Sequence, residues 1–330
     1  MPIIDAAHLF IRVAKNLKTG TINLYSPLEE MVIRKCGREL AYIDNRKDAK
    51  ERYGFDFWSN LDVNWLRSKG IDRGRLYSDS QQFPDFMFKV KRQGQRYIDG
   101  SLIELKDSKA GSIASFNSTI PTKCKTLEEI DVINGNDLVS KIATILDGEL
   151  ALDDSYSKFE RRCFYLIRTH KGSNKVKVSI VDGSFFETVS KEHLFYQMFL
   201  RVLRQHLEKK KVKISPQTLK KVEEALSHIT DQTIIAQSQI IEKASVRPRL
   251  RIMAEVHPEG NPHSKFYPEI TDSSFNLILQ SSSEIKELEK EISAEVPEAE
   301  IFSIFHKRNG EHVVFQFKRG TRLTHFLKTT

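Results

Sequence analysis

Asp85, Glu104 and Lys106 are the residues whose types and spacing suggest chemistry. In "QQFPDFMFKVKRQGQRYIDGSLIELKDSKAGSIASFNSTIPT", residues 81–122, Asp85 follows Pro84 and Glu104-Leu105-Lys106 closes the apolar run "SLIELK". Strand side chains alternate between faces, so Glu104 and Lys106 share one face and Asp107 takes the other. A charged, glycine-containing turn separates two apolar segments, and a hairpin between them sets Asp85 next to Glu104. Converging carboxylates repel unless a cation lies between them. Such an oxygen site suits magnesium, with water and a phosphate oxygen completing the shell. The metal would stabilise charge developing on phosphate and lower the pKa of a bound water. Lys106 could orient the water, help deprotonate it or neutralise charge, and the sequence leaves these roles open.

Context separates this triplet from chance. Acid-any-Lys occurs at five places, starting at 48, 104, 107, 208 and 284. Those at 208 and 284 lie in charged helical runs and the one at 48 in a polar stretch. The triplet at 104 closes an apolar run and has an acid on a preceding strand. The segment after it is rich in donors and acceptors: Lys109, Ser112, Ser115, Asn117, Ser118 and Thr119. These suit phosphate oxygens or base edges, with Asn117 the foremost base-contact candidate. The other reading of the same segment is a loop whose hydroxyls cap nearby backbone.

The elements that must hold these residues follow from periodicity. Helices are expected over 8–17 and 26–40, the second with Ser26 as cap, Pro27 in the first turn, and Leu28, Met31, Val32, Cys36 and Leu40 on one face. "FPDFMFKV" reads as a strand, "KRQGQ" as a turn and "RYIDGSLIELK" as a strand kinked near Gly100. A helix broken at Asn134-Gly135-Asn136, two strands around Lys171-Gly172-Ser173-Asn174 and a strong helix near 191–211 come next. Further helices are expected at 215–228 and 231–245. After "VRPRLRIMAEVHPEG" the pattern resets to strands, the helix "SSEIKELEKEISAEV" and the hairpin "EIFSIFHKRNGEHVVFQFKRG". This is a mixed α/β core, residues 1–245 with a helical extension, followed by a smaller α+β module at 246–330 for dimerisation or target recognition.

Composition narrows the function. The chain has 330 residues, 39% hydrophobic, enough for a real core. No apolar run is long enough to cross a bilayer and no secretory leader is visible, so a soluble, cytoplasmic protein is expected. Three dispersed cysteines and scattered histidines disfavour a disulfide framework or a soft-metal site. Net charge is +8, and residues 201–250 carry 11 basic against 5 acidic residues while 251–300 carry 4 against 11. A polyanion is a reasonable partner for the basic surfaces, which are equally compatible with an ordinary soluble protein. Arg161, Arg162 and Arg168 could meet a DNA backbone or simply be solvated. Phe185 and Phe186 read as core.

"PDF" followed by an apolar strand and "IELK" resembles the PD-(D/E)xK nuclease superfamily, in a context like that of a type II restriction endonuclease. The matched stretch is short, roughly residues 84–106. The resemblance implies a mixed-sheet restriction-endonuclease-like core flanked by helices, with Asp85, Glu104 and Lys106 as catalytic residues and Asp85 and Glu104 holding Mg2+. Many members add an acid from the first core helix. Glu29, which falls at the inward face of the expected 26–40 helix, is the candidate, with Glu39 second. The implied activity is site-specific hydrolysis of double-stranded DNA by a homodimer, with a DNA methyltransferase protecting the host. The alternatives are a structure-specific repair or recombination nuclease, and a non-catalytic DNA-binding protein with a nuclease-like fold.

Overall fold

The computed structural model describes residues 3–28, 31–32, 40–42, 83–88, 90–93, 96–99, 101–117, 120–134, 158–171, 175–187, 191–227 and 253–318. It is an α/β protein built on a mixed sheet of parallel and antiparallel strands flanked by helices. The strands are β1 (Leu40–Tyr42), β2 (Phe86–Phe88), β3 (Val90–Gln93), β4 (Arg96–Asp99), β5 (Leu102–Ser108), β6 (Ser115–Asn117), β7 (Cys124–Lys125), β8 (Arg161–His170), β9 (Val176–Asp182), β10 (Met253–Glu255), β11 (Ser274–Gln280), β12 (Glu300–His306) and β13 (Gly310–Lys318). The helices are α1 (Ile4–Thr19), α2 (Leu127–Asn134), α3 (Lys191–Lys209), α4 (Pro216–Ser227) and α5 (Ile285–Glu295).

The main sheet runs β1-β2-β5-β8-β9-β11-β13-β12, with β7 attached to β8. β5 is parallel to β8, β9 is parallel to β11, and the other pairs along this path are antiparallel. Every residue of β9 is buried, Lys177, Ser179 and Asp182 included, as expected of a strand in the middle of the sheet. The division expected at residue 246 is crossed by main-chain hydrogen bonding, since β11 pairs with β9 and β10 pairs with β6.

Register assigns the two faces. Leu105 and Asp107 of β5 lie beside Leu166 and Arg168 of β8, then Ile180 and Val178 of β9, Leu277 and Phe275 of β11, and Phe315 and Phe317 of β13. α1 covers this face, its Phe10 ring stacked 5.2 Å from Phe275. The other face carries Glu104 and Lys106, Tyr165, Val181, Ile278, and then His312, Val314 and Gln316. It is more polar: Asn276 bonds Ser179, Ser274 and Gln316. Buried Lys177 donates to the carbonyls of Pro262 and Ile270 at 3.1 and 2.9 Å, and desolvation lowers its pKa to about 8.

Several expectations are met and others corrected. The break expected at Asn134-Gly135-Asn136 runs into residues outside the described ones, and α2 is described as far as Asn134. Its start is a reciprocal cap, with the Glu129 amide donating to Thr126 Oγ1 and the Thr126 amide to Glu129 Oε2. β4 stops at Asp99 and β5 restarts at Leu102, matching the kink expected near Gly100. Lys91–Gln93 belong to β3 instead of the turn, which leaves two residues to reverse the chain. The helix expected to run to residue 40 does not, because Leu40–Tyr42 pair with β2. Sheet pairing of Leu40 with Phe88 outweighs its helical propensity. Leu28, Met31 and Val32 are buried, as the expected apolar stripe requires. Cys36 and the helix at 231–245 lie outside the described residues.

Candidate active site on the polar face of the sheet

β2 begins one residue after Asp85, and Phe86 lies opposite Ile103, so the same register sets Asp85 opposite Glu104. The hairpin argument therefore holds for this pair. The Leu105 amide, on the β2 side of β5 where β2's ladder has ended, donates to Asp85 Oδ2 at 2.7 Å. The carboxylate thus takes over the work of a missing ladder carbonyl, because a buried amide must find an acceptor. It also ties Asp85 rigidly to the strand that carries Glu104 and Lys106.

Glu104 is 8% exposed, and Lys106 Nζ donates to its Oε1 at 2.7 Å. Their shared face comes from the two-residue side-chain period. Phe116 of β6 lies beneath the pair, with Lys106 Nζ 5.7 Å from its ring centroid. Phe116 packs edge-on against Tyr165 and Phe186, both at 5.0 Å between centroids. Tyr165 is the direct β8 neighbour of Glu104. Burial, and the nearby Cys163 and Glu104, raise its hydroxyl pKa well above the ordinary value. The site is thus an acid pair and a lysine over a buried aromatic floor, where electrostatic interactions are strengthened.

The donor chemistry fits a hard cation. Asp85 and Glu104 are the residues that would hold magnesium, which commonly takes one or two protein carboxylates and fills its shell with water and phosphate oxygens. Among the described residues no group of three His, Cys, Asp or Glu side chains converges as a metal site. Glu29 and Glu39 lie outside the described residues.

The donor-rich segment is less of a free loop than its composition implies. Ser115–Asn117 form β6 and pair with β10. The Ile113 amide donates to Asn261 Oδ1 at 2.6 Å, and the Val256 amide to the Ala114 carbonyl at 2.8 Å. Ser108 Oγ donates to the Ser112 carbonyl at 2.8 Å, which is the backbone-capping use of a hydroxyl. Lys109 and Ser112 are exposed, and Ser115 is half-buried. Asn117 is in β6, and Ser118 and Thr119 lie outside the described residues.

The three arginines considered for DNA contact are structural. Arg161 is fully buried, and its guanidinium donates to the Phe159 carbonyl at 3.0 Å. Arg162 donates twice to the buried Asp182 carboxylate, at 3.0 and 2.5 Å. Arg168 grips Asp107 with two nitrogens and also donates to the Ser26 carbonyl at 2.5 Å. The Arg161 bond reaches back only two residues, whereas sequence offered no sign of the Arg162 and Arg168 pairings, since each joins residues far apart in the chain. The same holds for Phe116 and Tyr165, which sit in runs read as a polar loop and a plain strand. Phe185 and Phe186 are buried, as expected of core.

No protein-family model, curated protein or solved structure matches this chain. No helix among the described residues is long and apolar enough to cross a membrane.

Proposed function

We propose that this chain is a magnesium-dependent, site-specific endonuclease of the PD-(D/E)xK type that hydrolyses phosphodiester bonds of double-stranded DNA in the cytoplasm. The observation that carries the reading is the convergence at β5: Asp85 is held against the strand by the Leu105 amide, directly beside Glu104, with Lys106 on the same face. Supporting it is the mixed sheet, in which the strand bearing the acid and lysine pairs antiparallel on one side and parallel on the other.

In this reading Asp85 and Glu104 hold Mg2+, which when bound stabilises charge on the scissile phosphate and acidifies a water. Lys106 exchanges its bond to Glu104 for the phosphate or the attacking water. Glu104, freed of the ammonium, would then offer its charge to the cation. The Phe116 ring, 5.7 Å from Lys106 Nζ, would help hold the ammonium near the site. Lys109, Ser112, Ser115, Asn117, Ser118 and Thr119 contact the DNA beside the scissile bond. Cleavage of both strands of a symmetric site calls for a homodimer, and a companion methyltransferase would protect the host.

The test is cleavage of long unmethylated DNA with magnesium, comparing the natural protein with Glu104→Gln and Lys106→Met. Discrete fragments, lost in both variants and in chelator, are expected. Cleavage that survives both substitutions sinks the site. Preference for branched or damaged DNA makes this a repair nuclease, and binding with no cleavage under any divalent metal makes it a non-catalytic DNA-binding protein.

A further inference from the structure

β12 ends the main sheet among the described strands, at the far side from the candidate active site. It is seven residues long and pairs with β13 in unbroken register, with no proline and no bulge. Ile301, Ser303 and Phe305 point to the α1-covered face, by their pairing with Phe315, Val313 and Glu311. All three are exposed, unlike their β13 neighbours Phe315 and Val313. Phe315 is fully buried, with Phe10 6.4 Å away, whereas Phe305 is 73% exposed and Ile301 38% exposed. A long, regular, apolar edge strand is a template for another strand, and proteins ordinarily blunt such edges.

The charges say which strand fits. Glu298 and Glu300 are exposed at the start of β12, and Lys307 and Arg308 are exposed just past its end. Antiparallel pairing of β12 with itself about a two-fold axis at Ser303 sets the acidic end of each copy against the basic end of the other. In that register Ile301 faces Phe305 across the axis twice, covering both exposed side chains. Glu298 then lies opposite Arg308, in addition to the partners each has within its own chain, Lys18 and Glu259. Self-complementarity of this kind is what a two-fold interface demands.

We infer that β12 is a dimer interface, joining two copies edge to edge into one continuous sheet. The inference does not depend on the nuclease reading. Its geometry has a consequence for that reading all the same. Five strand intervals separate β5 from β12 in each copy, so the two candidate sites lie on the order of 50 Å apart along the joined sheet. This dimer holds two separate DNA segments, and it is a different assembly from the homodimer that would cut both strands at one symmetric site.

The experiment is light scattering of the full chain over a range of concentrations. Twice 38.1 kDa is expected for the natural protein. Phe305→Glu is expected to raise the dimer dissociation constant about tenfold or more without lowering the thermal midpoint. Ser303→Cys reads the register directly, because directly paired positions have Cα atoms within disulfide reach. Mild oxidation is expected to double its mass on a non-reducing gel. Charge reversal at Glu298 should weaken the dimer, and adding Arg308→Glu should restore it. A monomer at every concentration, a dimer indifferent to Phe305→Glu, or no Ser303→Cys crosslink would each overturn the inference. If Phe305→Glu destabilises the fold, the crosslink decides alone.

Discussion

β5 carries two carboxylate–cation pairs, one on each face, and they are built differently. Asp107 pairs across the strands with Arg168 on the α1 side, through two nitrogens, and the same guanidinium reaches the backbone carbonyls of Leu24 and Ser26. Glu104 pairs within its own strand with Lys106, through one bond. Arginine's fixed fork is filled from several sides and cannot turn elsewhere without breaking the packing that surrounds it. Lysine's ammonium is a point charge on a flexible stem, and one bond to Glu104 leaves it able to change partners. The comparison teaches that a sequence cluster of acids and bases needs its hydrogen-bond geometry before a structural pair can be told from a chemical one.

The largest expected effect separates the faces by activity. Glu104→Gln or Lys106→Met should lower magnesium-dependent cleavage by about 1000-fold, the scale of losing a group that acts at the reacting centre. Arg168→Met should leave the rate per folded molecule within about threefold. The reverse asymmetry should appear in urea denaturation. Arg168→Met is expected to cost ~2–3 kcal/mol, because it takes the donor from the buried Leu24 and half-buried Ser26 carbonyls and leaves Asp107, 45% exposed and able to rehydrate, with His170 at 3.7 Å. The double variant Glu104→Gln/Lys106→Met, which removes both charges together, should stay within ~1 kcal/mol of the natural protein. Equal losses in both assays for both pairs would abolish the distinction.

A smaller effect reports the polar face alone. His306 is almost completely buried there, its Nδ1 accepting the Arg308 and Asn309 amides at 3.2 and 3.1 Å. Burial, reinforced by nearby His312, lowers its pKa to about 4. The unfolded chain binds a proton near pH 6.5, before the folded chain does, so stability is full above that pH and declines toward pH 4. Of order 2–3 kcal/mol should be lost across this window, and His306→Gln should flatten the decline in a series of unfolding curves. The smallest expected effect is at Phe116→Leu, which removes the ring under Lys106. A cation–π contact of ~0.5–1 kcal/mol predicts a two- to fivefold lower cleavage rate, about 3-fold as a central value, with magnesium dependence unchanged.

Much of the local structure is legible in the chain. The strand bearing Glu104, the break near Gly100 and the final hairpin around Gly310 follow from side-chain period and from breakers, which act over a few residues. The pairing of Asp85 with Glu104 is legible too, because a hairpin register is a local property of two neighbouring strands. What the chain did not reveal depends on distant partners. Leu40, the last residue of the expected helix, instead opens a strand through Tyr42 that joins the sheet. Ser115–Asn117 become a strand because residues 253–255 arrive beside them. Arg162 and Arg168 turn inward because carboxylates and carbonyls from distant parts of the chain meet them.

The sequence by itself determined which residues share a face of a strand, since alternation is built into the extended backbone. It determined the chemical types available at the candidate site, two acids and a lysine, together with the short-range register that sets them side by side. Only the tertiary structure decided that the stretch after residue 246 completes the same sheet, that Phe116 and Tyr165 form the floor under Glu104 and Lys106, and that Phe305 stands exposed at the edge. These outcomes depend on which surfaces meet once the chain collapses. That choice is made by burial and by the need of every buried polar group for a partner, and neither is encoded within any short window of residues.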